Sequence, residues 1–206
     1  MTRNTDNNSK SLPQVIEGRR SIRKLTDSPK VTKEQIEEII RLALHAPSAF
    51  NMQSGRLVVL LGDQHKQLWS IVTETLRARV PADKFAATEE RMHGFSSGAG
   101  TVLFFEDQTT VKETQAKSPP SYQMHFEAWS QQGSAILQYA VWLALTDHGL
   151  GASLQHYNPI IDEEIKRKWD IPQNWSLVAQ MPFGQPNETP GPRTYLPYEQ
   201  VVKWHS

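Results

Sequence analysis

Apolar residues recur three and four apart at Ile36, Ile39, Ile40, Ala43 and Leu44, which predicts an amphipathic helix. Thr32 and Gln35 stand three apart ahead of it, the spacing of a capping box, and Pro47 helps to stop it. Val15 to Gly18 suits one or two earlier helical turns. Leu57 to Leu61 is an unbroken apolar run, short enough for a buried strand. Asp63 is placed to cap a second helix, with Leu68, Ile71, Val72 and Leu76 on one face and an end near Pro81. Asp83 to Gly100 is charged and punctuated by glycine, and no element is assigned to it. TVLFF, residues 101–105, predicts the second strand. A short helix and a loop with Pro119 and Pro120 follow over 107–122.

The longest helix is predicted from about Phe126 to His148. Its centre, AILQYAVWLAL, is apolar on every side, as in helices buried in a core or between subunits. Gly149 and Gly151 end it. SLQHYNP, residues 153–159, is a short strand or extended turn. DEEIKRKW predicts a surface helix, in which Asp162, Glu163 and Glu164 suit the positive end of the helix dipole. SLVAQMPFG, residues 176–184, is the last strand before a proline-rich tail. Helices outnumber strands and do not alternate with them regularly. The expected class is therefore α+β, with helices packed on a small sheet, in one domain over 12–206. Residues 1 to about 11 read as a loose arm.

Composition narrows the function. Acids and bases balance at 22 each, which argues against a nucleic-acid or membrane-surface role. Cysteine is absent, so thiolate chemistry, disulfides and cysteine-ligated metals are excluded, and a cytoplasmic location fits. No apolar run approaches the roughly 20 residues that span a bilayer. His65, His93, His125, His148 and His156 show no metal-ligand spacing with carboxylates. Nucleotide-loop, zinc-protease and serine-elbow motifs are missing.

Three segments carry candidate chemistry. RRSIR, residues 19–23, offers Arg19, Arg20 and Arg23 as forked donors and Ser21 as a hydroxyl. Such a cluster suits a phosphate, although a basic turn is more often plain surface charge. HAPSAFNMQ, residues 45–53, puts Ser48, Asn51 and Gln53 just before a buried strand. Their donors and acceptors suit the edge of a flavin or pyrimidine ring, or else a helix cap and turn. Gln53 beside the strand is expected to be buried and to need partners. GLGASLQHYNP, residues 149–159, frees the backbone at two glycines, so that Gln155 and His156 could face a ring or simply end a helix.

In this order and spacing, RRSIR, APSAFNMQ and GLGASLQHYNP resemble the nitroreductase family of flavoproteins, over about Pro13 to Trp204. The fuller strings APSAFNMQSGRLVVLLG, TVLFFED, GLGASLQHYNPIID and AQMPFG are most similar to the fatty acid repression mutant 2-like and copper-induced nitroreductase subgroup. The resemblance implies a nitroreductase-like fold and a homodimer with FMN at the subunit interface. It implies NADH or NADPH as donor and ping-pong hydride transfer through flavin N5 to a nitroaromatic or quinone. Arg19, Arg20, Ser21 and Arg23 would then hold the FMN phosphate and ribityl chain. Ser48, Asn51 and Gln53 would edge the ring, with Ala49 and Phe50 between them. Leu154, Gln155 and His156 would lie against it and offer N5 a backbone N–H. The family's cation before a C-terminal proline is replaced by Leu196, and Arg193 is the candidate substitute. Met92, Phe95, Tyr122, Met124, Phe126 and Trp129 are candidates for the substrate wall, or else core. Two other functions compete. One is an FMN-binding redox-sensing or regulatory protein in lipid or metal stress; the other is an α+β interaction protein without cofactor.

Overall fold

Every residue of one strand, Gly100–Asp107, is buried, and the fold is arranged on its two sides. The computed structural model describes residues 10–206; residues 1–9, most of the expected arm, lie outside the described residues. Lys10 and Ser11 are engaged: Lys10 Nζ donates to the Thr146 carbonyl at 2.8 Å, and Ser11 begins the first helix with a capping box to Gln14.

The strands are β1 (Leu25–Thr26), β2 (Gly55–Leu61), β3 (Gly100–Asp107), β4 (Gly151–Ala152) and β5 (Trp175–Pro186). They form one antiparallel sheet in the order β1-β5-β3-β2, with β4 also paired to β5. The helices are α1 (Leu12–Gly18), α2 (Lys33–Ala43), α3 (Gly62–Arg77), α4 (Phe85–Ser96), α5 (Gln108–Lys117), α6 (Pro120–Gln123), α7 (Phe126–Asp147), α8 (Asp162–Lys168) and α9 (Tyr198–Val201). The expected α+β class is the one observed, with helices flanking a small antiparallel sheet.

Side-chain alternation along β3 explains both layers. Val102 and Phe104 face α2 and α7, where Ile36, Ile39, Val141 and Leu145 fill one core. Leu103 and Phe105 face the other way, against Leu68, Trp69, Val72 and Phe95 of α3 and α4. A strand covered on both faces reads as continuous apolar sequence, as TVLFF does. The capping box forms as expected: Thr32 Oγ1 accepts from the Gln35 amide at 3.2 Å, and Gln35 Oε1 accepts from the Thr32 amide at 2.9 Å.

Four details differ from the expectation. Asp63 is in the first turn of α3 and does not cap it; the chain passes from β2 into α3 through Gly62, at φ 54°. The unassigned stretch holds α4, whose Phe85, Met92 and Phe95 are buried. Gly149, at φ 76°, follows α7, whereas Gly151 belongs to β4. α8 is not wholly superficial, because Ile165 and Lys166 are buried.

Candidate functional site

RRSIR follows α1 as extended chain. Ser21 bridges Ala152 in parallel, and the Ile22 amide donates to the Ala152 carbonyl at 2.9 Å, so the first and third motifs lie side by side. A side chain at Gly151 would begin 3.0 Å from Ile22 Cβ, which explains the small residue at this crossing. Arg19, Arg20, Ser21 and Arg23 line an open concavity of about 410 Å³ with residues 188–192. Glu188 shares it, but its carboxylate accepts from the backbone amides of Arg23 and Lys24. None of Arg19, Arg20, Arg23 and Arg193 forms an ion pair among the described residues.

Arg19 stacks on Trp142, with its guanidinium carbon 4.4 Å from the ring centroid. Burial, and next the charge of Arg193, hold the Arg19 pKa below its ordinary value. Arg193 has therefore come close to Arg19 from the tail. Its Nη1 donates to the Tyr195 hydroxyl at 3.1 Å, while its Nη2 is buried without a hydrogen-bond partner. Arg20 Nη2 donates to the Gly191 carbonyl at 2.6 Å. Like charges gathered with a spare buried donor are the kind of group that suits an anion. Trp142 was missed in the sequence because it reads as one more apolar position of α7.

The second motif is a strained turn. Phe50, Asn51 and Gln53 all have positive φ, at 53°, 50° and 48°. This is rare outside glycine and costs about 1–2 kcal/mol for each residue, less for asparagine. The Ser48 hydroxyl accepts from the Gln53 amide at 2.9 Å. Gln53 is exposed, contrary to expectation, because its positive φ turns it away from β2. Its Nε2 makes one long bond, 3.4 Å, to the Asn51 carbonyl, and the Asn51 side chain makes none among the described residues. Both amides therefore keep capacity for a ligand. Beneath the turn is a hollow of about 220 Å³, lined by Ser48, Gln53, Gly55, Gly133 and also Glu106. Glu106 is buried, and its Oε2 accepts from Ser54 and Ser130 at 2.7 and 2.6 Å. Its one sequence signal was an acid closing an apolar strand.

In the third motif, Gln155 exchanges backbone hydrogen bonds with Gln180 at 2.7 and 2.9 Å. Its amide is thus committed to the sheet. The amides of Leu154 and His156 make no hydrogen bond among the described residues, and the His156 side chain is exposed.

The three motifs do not meet in one chain. The Ser48 turn lies against Gly133, where an added Cβ would be 3.6 Å from Ser48 Cβ, and Arg19 lies on Trp142. These positions are nine residues apart on α7. That is about 13 Å along its axis and two and a half turns around it, so the polar turn and the basic corner occupy opposite faces.

The candidate substrate wall divides. Met92 and Phe95 are core, packed with Trp69, which is the second of the two alternatives for them. Met124 is exposed. Tyr122, Phe126 and Trp129 gather around Phe50, with ring centroids 5.9, 5.5 and 5.8 Å from it.

Known proteins resemble this arrangement across the chain. A model described as the nitroreductase family matches residues 16–185. The putative nitroreductase HBN1 of Saccharomyces cerevisiae is 33% identical over 168 residues, covering 81% of this chain and 82% of the yeast protein. The nitroreductase CinD from Lactococcus lactis, solved in complex with chloramphenicol, is 38% identical, with a TM-score of 0.86 over 95% of this chain and 100% of its own. A nitroreductase with bound FMN from Desulfitobacterium hafniense shares the fold at 19% identity and TM-score 0.70, over 94% and 97% of the two chains.

Proposed function

The chain belongs to the nitroreductase family, and we propose that it is an FMN-dependent NAD(P)H oxidoreductase acting on nitroaromatics or quinones. The observation that carries this reading is the guanidinium group of Arg19, Arg20 and Arg193, without an ion pair and with one buried donor unused. A dianionic phosphate is the ligand such a group fits. FMN, when bound, would accept hydride at N5 from a reduced nicotinamide and pass it on to the acceptor. The protein's part is to hold and orient. Arg19, Arg20 and Arg193, with the Ser21 hydroxyl, would hold the phosphate, so that Arg193 supplies the cation that Leu196 does not. The free amides of Asn51 and Gln53 would edge the ring. The backbone N–H groups of Leu154 and His156 are the ones left to donate to it, since that of Gln155 is committed.

The opposite placement of the two halves on α7 supports a homodimer, in which the basic corner of one copy and the polar turn of the other serve one cofactor. Ile136 and Tyr139, exposed on α7, fit such an interface. Donor and acceptor would take turns at one ring face. CinD from Lactococcus lactis has also been solved in complex with 4-nitrophenol, which fits that substrate class.

The test is the visible spectrum of purified protein reconstituted with FMN, followed by anaerobic addition of NADH and then NADPH. Bleaching of the flavin bands by either donor is expected. No flavin uptake would overturn the site, and bands that persist with both donors would overturn the reductase. Arg193→Ala should raise the FMN Kd about 10- to 100-fold, the effect of one charge-assisted bond.

A further inference from the structure

Glu106 is a buried acid without a counter-charge. Only 3% of the residue is exposed, yet it forms no ion pair among the described residues. Arg56 is committed to Asp107 instead. A carboxylate in such a place is costly, and an apolar residue would serve packing better. Ser54 and Ser130 both donate to one oxygen, Oε2, and Oε1 accepts no hydrogen bond among the described residues. Oε1 lies toward the hollow of about 220 Å³ beneath the Ser48 turn, since a side chain at Gly55, in the wall of that hollow, would begin 3.8 Å from it. Glu106 also lines a second cavity, of about 580 Å³, between α5, α7 and β5, and no other described residue lines both. The α7 wall of this cavity is polar. Ser130 and Gln138 are buried on one face of the helix, and between them Ser134 Oγ accepts from Gln138 Nε2 at 3.1 Å. Asn158 lines the same cavity, and its buried Oδ1 has no hydrogen-bond partner. Lys112 and Glu127 line it too and are exposed, so the cavity reaches solvent. Its size and its polar groups suit water. One carboxyl group thus stands between a hydrated cavity and the hollow under the polar turn.

We propose that Glu106 is a proton relay, which takes protons from the polar cavity and releases them at Oε1 into the hollow beneath the Ser48 turn, toward the acceptor being reduced. The proposal rests on the reading of the chain as a flavin reductase. A quinone and NAD(P)H give hydroquinone and NAD(P)+ only with one further proton. The hydride supplies two electrons and one proton and leaves the hydroquinone monoanion. Its oxygen then gains an O–H bond as the O–H bond of Glu106 breaks. The carboxylate is reprotonated from water in the polar cavity, so the protein is unchanged at the end of the cycle. The two serine hydroxyls have a part in this. By donating to Oε2 they steady the carboxylate in the interval, and they leave Oε1 as the oxygen that gains and loses the proton.

Two variants separate a relay from a structural part. Glu106→Gln keeps the shape and an acceptor for both serines but cannot pass on a proton. Glu106→Asp keeps the carboxyl group but draws it back by one carbon. FMN-loaded protein is assayed with menadione, which takes up a proton, and with ferricyanide, which takes electrons alone. A pH-indicator dye follows proton uptake in a single turnover with menadione. In Glu106→Gln, kcat for menadione should fall about 10- to 100-fold and the dye signal should slow with it, while ferricyanide turnover falls far less. Glu106→Asp should keep more menadione turnover than Glu106→Gln despite its poorer fit. A structural part predicts the reverse order, and a cofactor defect lowers both acceptors together. Either result, or no fall in Glu106→Gln, overturns the relay. Should Glu106→Gln not fold, the solvent deuterium isotope effect on the unsubstituted protein decides: it should be larger with menadione than with ferricyanide, and equal effects overturn the relay. If neither NADH nor NADPH supports reduction of either acceptor by the unsubstituted protein, the reductase reading falls and the relay with it.

Discussion

His65 should make the fold acid-sensitive. The ring is fully buried on α3. Trp69 Nε1 donates to the Thr101 hydroxyl at 3.0 Å, and that hydroxyl lies 2.8 Å from His65 Nδ1. The chain closes if Thr101 donates to Nδ1, which puts the ring proton on Nε2, an atom with no hydrogen-bond partner by geometry. Burial of the charged form is the chief cause that lowers the pKa from 6.5 to about 4; the nearby Phe95 and Ser96 carbonyls oppose it. Because the folded pKa lies below the unfolded one, the unfolded chain takes the proton first as pH falls. The stabilisation is present above about pH 6.5 and is lost on the way down to pH 4. Linkage gives a loss of about 2 kcal/mol by pH 5 and about 3 kcal/mol by pH 4, relative to pH 7. Urea unfolding of wild type and His65→Gln across pH 4–7.5 measures this. The other titrating groups are common to both proteins, so the difference between the two curves isolates His65. If wild type loses no more stability between pH 7 and pH 4 than His65→Gln does, the buried neutral imidazole is refuted.

Other perturbations follow from packing and capping. In Gly100→Ala the new Cβ would lie 2.6 Å from both Leu61 Cδ2 and Phe183 Cζ, and 2.8 Å from the Leu60 carbonyl. Overpacking should cost about 1–3 kcal/mol, read as a lower Tm. Asp107 caps α5 through the Thr109 and Thr110 amides, accepts from Asn174, and pairs with Arg56 at 2.8 Å. Asp107→Ala should lower stability by about 3 kcal/mol, read from the urea midpoint. Burial alone would raise the Asp107 pKa, but Thr110, Arg56 and Thr109 outweigh it and hold the carboxyl below its usual value. Its contribution is therefore present above the unfolded pKa and fades as pH falls through the folded one, adding to the acid sensitivity in wild type but not in Asp107→Ala.

Where local chemistry decides, the sequence was legible. Thr32 and Gln35 cap α2 because the two side chains and two amides satisfy one another whatever surrounds them. TVLFF could be read as a strand because both of its faces are covered. α4 was hidden by Gly94, and the reason lies outside the helix. A Cβ there would come within 2.8 Å of the Arg23 carbonyl, so the glycine serves the close passage of RRSIR. Gln53 defied the expectation of burial because three positive φ angles redirect the turn; Asn51 tolerates such a dihedral, but nothing in the sequence marks Phe50 and Gln53 for it. RRSIR crosses the chain at Ala152, two residues before Leu154, and which amide of Leu154, Gln155 and His156 remains free depends on Gln180, 25 residues beyond Gln155.

The relation between the two halves of the site depends on the phase of one helix. α7 supports the polar turn at Gly133, the aromatic rings at Phe126 and Trp129, and the basic corner at Trp142. Motif order cannot reveal that Gly133 and Trp142 point in opposite directions; only the 3.6-residue period does. Once it is applied, the all-round apolar sequence of α7 has a cause. One side packs on the sheet through Leu137, Val141 and Leu145, and the other leaves Ile136 and Tyr139 at the surface. A helix required only to fill a core would carry polar residues at those two positions. Apolar residues there, and motifs on opposite faces of α7, are both what the homodimer proposed above would account for.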